Sequence, residues 1–258
     1  MPVALITGAS TGIGRELAFI AADNGYDLAL VARTQGPLEA VAGEIERKSS
    51  RKVSLFPIDL SQPNAAHALM DSMNKAGLSV DVLINNAGFG LVGNFWELPE
   101  DQQMQMVELN IGALTQLTRL CLPPMISRGM GFILNVASTA AFQPGPLMSV
   151  YYASKAYVVS FSEAVHNEVK DRGVKVCCLC PGPTHTEFVK RAGMGNSKLF
   201  ESGQVMSAAE VAQIGWNAMR AGKSLVVSGA MNAAMAFMTR FAPRQMMATI
   251  ARKLQEPK

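Results

Sequence analysis

The 258 residues carry a net charge of only +3, with 49% hydrophobic side chains and a mean hydropathy of +0.16. That balance supplies enough apolar surface for one large domain whose sheet is buried on both faces, and it is too polar for a membrane bundle. No long Lys/Arg run and no uninterrupted stretch of ~18 apolar residues occurs, so neither nucleic acid nor a spanning segment is implied.

The chain opens on an apolar run at 3–7, which reads as a buried strand. A strand starting this early predicts no secretory leader, and the expected location is cytoplasmic. From about residue 12 the pattern turns helical, with Ile13, Leu17, Ile20 and Ala21 on one face. Further strand-like runs lie at 27–32, 53–58, 80–84, 131–136, 174–180 and 225–228. Helix-like stretches lie between them, near 35–48, 62–76, 100–128, 148–172 and 207–221. Strand alternating with helix predicts an α/β fold, a single parallel sheet with right-handed crossovers. Two segments break the rhythm: a Gly-containing polar loop at about 184–206, expected to select the substrate, and a tail at about 230–258, rich in methionine and then basic.

The four cysteines are Cys121, Cys177, Cys178 and Cys180. Cys177 and Cys180 have C-x-x-C spacing, yet residues three apart on a strand face opposite sides. Buried free thiols in a reducing compartment are the expectation. No His/Cys/Asp/Glu group has zinc spacing, so no metal is expected.

The first strand runs into Thr7-Gly8-Ala9-Ser10-Thr11-Gly12-Ile13-Gly14. Strand, glycine turn and helix N-terminus together make an anion site, because free N–H groups and the helix dipole point at one place. Gly8 permits the tight turn, Gly12 allows a phosphate to approach the backbone, and Gly14 lets the helix lie close to the strand. An ordinary strand-to-helix turn is the competing reading.

Downstream come Asn85-Asn86-Ala87-Gly88, then Asn110, then Ser138 with Tyr151-x-x-x-Lys155, then Pro181-Gly182. These five matches, in this order, resemble the short-chain dehydrogenase/reductase family in its compact branch, over roughly residues 3–228. The resemblance implies a doubly wound sheet of order 3-2-1-4-5-6-7 with a C-terminal helical extension. It also implies interconversion of a carbonyl and an alcohol, with reduction the favoured direction.

In this likeness Tyr151 is the general acid of reduction. A free phenol has a pKa near ~10, too high for efficient exchange at neutral pH. Lys155 lies one helical turn on, and its charge is expected to favour the phenolate. Tyr152 is about 100° away around the helix and loses as a rival. Ser138 is expected to donate to the carbonyl oxygen, with a helix cap as its alternative role. Asn110 matches the family residue that anchors a proton-relaying water, against a solvent-facing mid-helix Asn. For the cofactor, the likeness implies Gly8, Ser10, Thr11, Gly12, Ile13 and Gly14 at the phosphates. Asp59 and Leu60 fall at the adenine, and Asn86, Ala87 and Gly88 beside its ribose. Tyr151 and Lys155 stand at the nicotinamide ribose, with Pro181, Gly182, Thr184 and Thr186 over the nicotinamide.

The end of the second strand holds Ala32 and then Arg33, where NAD enzymes carry an acidic residue. A guanidinium suits a 2′-phosphate, so NADP(H) is the expected cofactor, with Arg33 its main determinant and Arg15 assisting. An epimerase or dehydratase of the extended branch is the first rival, but its longer substrate domain is absent. A non-catalytic NADP(H)-binding regulator is the second, although such proteins often lose the Tyr or Lys. The partner is a small carbonyl or alcohol. A homodimer is expected through the helices at 100–128 and 148–172, using Met104, Leu109, Val158, Phe161 and Val165. The tail stripe of Met231, Met235, Met238, Phe237 and Phe241 reads as a helix packed on its own domain, a wall over the substrate cleft, or a peripheral membrane contact.

Overall fold

The computed structural model describes residues 1–188 and 205–255. Seven parallel strands form the sheet: β1 (Val3–Thr7), β2 (Asp27–Ala32), β3 (Val53–Pro57), β4 (Val80–Asn85), β5 (Gly131–Val136), β6 (Val174–Cys180) and β9 (Leu225–Val227). Their spatial order is β3-β2-β1-β4-β5-β6-β9, the predicted order once a small separate pair is set aside. That pair, β7 (Thr184–His185) and β8 (Met206–Ser207), ties Thr184 to Met206. It pins both ends of the predicted substrate loop; positions 189–204 of that loop lie outside the described residues.

Side chains alternate across the strands and feed two cores. Ala4, Ile6, Leu28, Leu30 and Ile84 face one side, beneath α1 (Gly12–Asp23), α2 (Gln35–Lys48) and α7 (Ala208–Arg220). Leu5, Ala29, Val31, Leu83 and Ile133 face the other. There they meet α3 (Ala65–Lys75), α5 (Leu114–Ser127) and α6 (Ser149–Val169). With no polar face left, the strands read as near-continuous apolar runs, as a doubly covered parallel sheet requires. Helix α7 begins with a capping box: Ser207 accepts from the Glu210 amide and Glu210 reaches back to Ser207.

The stretch predicted as one helix at 100–128 is in fact three pieces. Helix α4 (Glu100–Val107) passes into a π-helical turn, Glu108–Ala113, and then into α5. Such turns insert an extra residue into the helical ladder. The dimer expectation also divides. Val158 and Val165 are consumed in this chain's own core, while Met104 is exposed and Leu109 and Phe161 are partly covered.

The tail folds into α8 (Ala230–Met238) and α9 (Arg244–Gln255), separated at Pro243. Both lie at the C-terminal edge of the sheet, the edge where open α/β sheets bind ligands.

Candidate active site

The glycine loop is held from behind by the next motif along the sheet. Thr7 Oγ1 accepts from the amides of Asn86 and Ala87, both at 3.0 Å, and donates to the Ile84 carbonyl at 3.3 Å. Asn86 Nδ2 in turn donates to the carbonyls of Thr7 and Gly8, at 3.0 and 3.1 Å. Gly8 has φ +65 and Gly12 φ +57, both in the left-handed region that disfavours other residues. A Cβ on Gly14 would overlap Gly8 O and Asn86 Nδ2, so the helix can approach only because the side chain is missing. At the mouth, Thr11 is the N-cap of α1 but gives its amides no side-chain cap. The first-turn N–H groups therefore face outward within a cradle of small residues, a fit for a diphosphate.

Below the cradle, a buried polar chain links the strands. Asn85 donates to Thr118 Oγ1 at 3.1 Å and to Asn135 Oδ1 at 2.9 Å, and Asn135 donates to Ser162 Oγ at 2.9 Å. This chain joins β4, β5, α5 and α6. Asn135 and Ser162 carry no sequence motif and become visible only once the strands are paired.

At the other end of the cleft, Ser138 leaves β5 in extended backbone and caps the 3₁₀ turn Thr139–Phe142, accepting from the Ala140 amide at 3.1 Å. Its cap role and its place facing Tyr151 coexist. Tyr151 is partly open to the cleft, with Phe188 against its ring at a centroid distance of 5.4 Å. Burial pushes the Tyr151 phenol up to about 12, with the Ser138 hydroxyl pulling it back and Tyr152 adding to the rise. Lys155 is not among the causes of this shift. The Lys155 ammonium is 5.7 Å from the Tyr151 ring centroid and donates instead to the Val136 carbonyl, at 2.9 Å. Burial brings the Lys155 amine down to about 8, opposed by the nearby Cys178 and Cys180. At neutral pH the phenol therefore carries its proton, but gives it up less readily than a free phenol does.

Asn110 does not face solvent. It sits in the π turn, 1% exposed, donating to Phe89 O at 3.0 Å and to Ser154 Oγ at 3.1 Å. Its Oδ1 accepts from the Phe89 amide at 3.1 Å. Ser154 donates to the Tyr151 carbonyl at 2.7 Å, so Asn110 clamps the segment after Gly88 to the helix that carries Tyr151. Sequence reasoning misses Ser154; its place inside Tyr151-x-x-x-Lys155 is the one signal for it.

Arg33 is exposed at the rim, beside Asp59. Burial alone would raise the Asp59 carboxyl, but hydrogen bonds from the Ser61 hydroxyl and amide, with the Arg33 charge, hold it below the usual value. Arg15 lies outside the cleft lining. Its guanidinium pairs with Glu16 and Glu44, both at 2.7 Å, and lies over the Phe19 ring. Thr186 folds onto Gly12, where an added Cβ would come within 3.1 Å of Thr186 Cγ2. Thr184 turns inward and donates to Gly182 O at 2.9 Å. His185 is exposed and outside the cleft lining.

One cleft of 1360 Å³ brings these groups together. Of the predicted site residues only Gly14 and Asn110 do not line it, since both act from behind. Its far wall is the tail: Met231, Met235 and Met238 of α8, with Met247, Ile250 and Leu254 of α9. Two contacts among the described residues fasten the wall. Asn232 packs where a Gly182 side chain would stand. Gln255 Nε2 donates to Tyr152 Oη at 2.6 Å, both groups being buried. Tyr152, the losing rival as an acid, has a structural partner 103 residues away.

The sheet order, the glycine cradle and the Ser138/Tyr151/Lys155 grouping define a doubly wound dinucleotide-binding protein. The model of the short chain dehydrogenase family matches residues 2–196, and the chain belongs to that family, one of nicotinamide-dependent oxidoreductases. Among curated proteins it is 37% identical over 190 residues to 17-beta-hydroxysteroid dehydrogenase type 3 of Homo sapiens, covering 72% of this chain and 60% of that protein. It is 38% identical over 180 residues to very-long-chain 3-oxoacyl-CoA reductase of Phaeosphaeria nodorum, covering 68% of this chain and 53% of that protein. The matched region thus spans little more than half the length of these relatives. A solved short-chain dehydrogenase from Sphingobium yanoikuyae in complex with NADPH superposes with TM-score 0.84 at 30% identity, covering 100% of this chain and 99% of that one. The bulky-bulky ketone specific alcohol dehydrogenase from Comamonas testosteroni gives TM-score 0.78 at 26% identity, covering 93% and 92%.

Proposed function

We propose that this chain is an NADP(H)-dependent carbonyl reductase acting on bulky apolar ketones or aldehydes. The observation that carries the reaction is the convergence of Ser138, Tyr151 and Lys155 on one cleft with an uncapped glycine cradle. The reduced nicotinamide supplies the hydride when bound. Ser138 donates a hydrogen bond to the carbonyl oxygen and orients it. Tyr151 delivers the proton to that oxygen as negative charge develops there. Lys155, anchored on Val136 O, holds positive charge behind the phenol and restores its proton afterwards. Phe188 and the methionine wall exclude water from the reacting carbonyl.

NADP(H) over NAD(H) rests on Arg33 and on the absence of a carboxylate at Ala32 or Arg33. The NADPH-bound relative is consistent with it. The apolar wall supports a large substrate, in keeping with the steroid, very-long-chain acyl and bulky-ketone names of the relatives. Steady-state kinetics with NADPH and NADH against steroid ketones, 3-oxoacyl thioesters and small ketones test the reading. NADPH-dependent turnover, highest for the bulky substrates, is expected. NADPH binding without turnover of any carbonyl would instead make the chain a sensor, and equal efficiency with NADH would remove Arg33 as determinant.

The homodimer belongs to the same proposal. Tyr157 and Phe161 stack at 5.6 Å on the outer side of α6, with Thr115 bonded to the Tyr157 hydroxyl at 2.9 Å. This makes a partly exposed aromatic strip. Light scattering at micromolar concentration is expected to give twice the mass of one chain, and a monomer refutes it.

A further inference from the structure

We propose that α8 and α9 form a surface that docks on an anionic phospholipid bilayer, and that apolar substrate enters the cleft from that side. Helix α8 is turned inside out. Its buried positions are Asn232 and Ala236, while Met231 is 67%, Met238 61% and Phe241, just beyond its end, 70% exposed. A surface helix normally does the reverse, hiding its large apolar residues. Met235, Phe237, Met246 and Ile250 extend the same exposed apolar area into α9. Patches of this kind mark interaction sites rather than ordinary surface.

The charge around the patch selects the occupant. Residues 230–255 contain no Asp or Glu and four cations, Arg240, Arg244, Arg252 and Lys253, more than the whole chain's net +3. The remainder of the chain is therefore slightly acidic, and this segment supplies the net positive charge. All four cations are exposed, and Arg240 lies 5.8 Å over the Phe237 ring. Exposed apolar groups set among cations suit the boundary between acyl chains and anionic headgroups. Among the described residues no helix is long and apolar enough to cross a membrane, so the contact is peripheral. Met231, Met235, Met238 and Ile250 belong both to this surface and to the cleft wall. A lipophilic molecule thus meets a continuous apolar strip from bilayer to cleft.

Flotation of the full chain with vesicles tests the docking directly, without cofactor or turnover, so a failed carbonyl screen does not decide it. Binding is expected to vesicles of phosphatidylcholine with phosphatidylglycerol, to weaken with salt, and to be slight for phosphatidylcholine alone. The pairs Phe237→Ser with Phe241→Ser, and Arg240→Glu with Arg244→Glu, lie outside the cleft lining. Each pair is expected to lower vesicle affinity about tenfold or more while the thermal transition is unchanged. Should the Phe pair unfold, the Arg pair carries the test. Absence of flotation, equal flotation with neutral vesicles, or full binding by the Arg pair overturns the proposal. Self-association abolished by the Phe pair, without vesicle binding, overturns it too and assigns the face to a second copy.

Discussion

The two ends of the cleft are built on different principles. The cofactor end is held by hydrogen bonds between backbone and short polar side chains, with Thr7 and Asn86 making five such contacts between β1, β4 and the glycine loop. The substrate end is a wall of methionines on two helices, fixed by Asn232 and by one hydrogen bond from Gln255 to Tyr152. Few side chains can replace a glycine at positive φ or an Asn that braces two carbonyls. Many can replace a Met in an apolar wall. The first end is thus specified residue by residue, and the second only by volume and polarity.

The sharpest way to separate the ends is Tyr151→Phe. It removes the transferable proton and keeps the ring, so turnover is expected to fall by about 10²–10⁴-fold with NADPH binding almost unchanged. Near-normal turnover would mean that another group supplies the proton. Gly14→Ala strikes the cofactor end alone. The new methyl overlaps Gly8 O and Asn86 Nδ2, which should cost about 1–3 kcal/mol of stability and weaken NADPH binding in titration calorimetry. A fully stable variant would show the helix free to move away. Arg33→Ala is expected to lower kcat/KM with NADPH by roughly ten- to a hundredfold and to spare NADH. Equal losses with both cofactors would make its role general.

At the substrate end, Gln255→Leu removes the latch on Tyr152 from a position that itself lies outside the cleft lining. KM for bulky ketones is expected to rise about fivefold, the worth of one ordinary hydrogen bond, with kcat for a small ketone unchanged. Hydrogen exchange over 244–255 should quicken, and unchanged exchange would show that packing alone holds the wall. A further expectation concerns pH. Unfolded, Lys155 holds its proton to about 10.5; folded, it gives it up near 8. Through this group the folded chain binds fewer protons in that window, so the Lys155 contribution to stability climbs as pH rises from about 8, while above about 9 the buried Cys121 and Cys177 thiols, which hold their protons to about 12, oppose it. Lys155→Met should flatten that slope in denaturant titrations, and a slope retained in the variant would assign it elsewhere.

The same contrast governs how much of the molecule is legible in its amino-acid sequence. Strands 27–32, 131–136 and 174–180 match β2, β5 and β6 to the residue, because buried parallel strands announce themselves as apolar runs. The glycine loop is legible because its backbone tolerates few residue types. The π turn is not, since a lone Asn110 and Gly112 among helix formers at 108–113 do not specify a widened turn. The Asn85–Asn135 bond spans 50 residues and the Gln255–Tyr152 bond 103, and no local pattern announces either. The direction of the Tyr151 shift escapes the sequence for a related reason. One-turn spacing shows that two side chains share a helix face, but not how far the phenol is buried, which is what raises it, nor that the ammonium has turned to the Val136 carbonyl.

The π turn at Glu108–Ala113 also sets a phase. Every inward side chain of α5 — Leu114, Leu117, Thr118, Cys121, Met125 — is aimed by the one residue that the widened turn contains in excess. Winding the same six residues as regular α-helix, with none removed, would rotate all that follows by about 100°. Thr118 would then swing off Asn85, and the apolar stripe would turn from the sheet toward water. An insertion of one residue thus acts here as a gear tooth: it spaces Asn110 for the site and, by the same step, indexes the helix that packs the core.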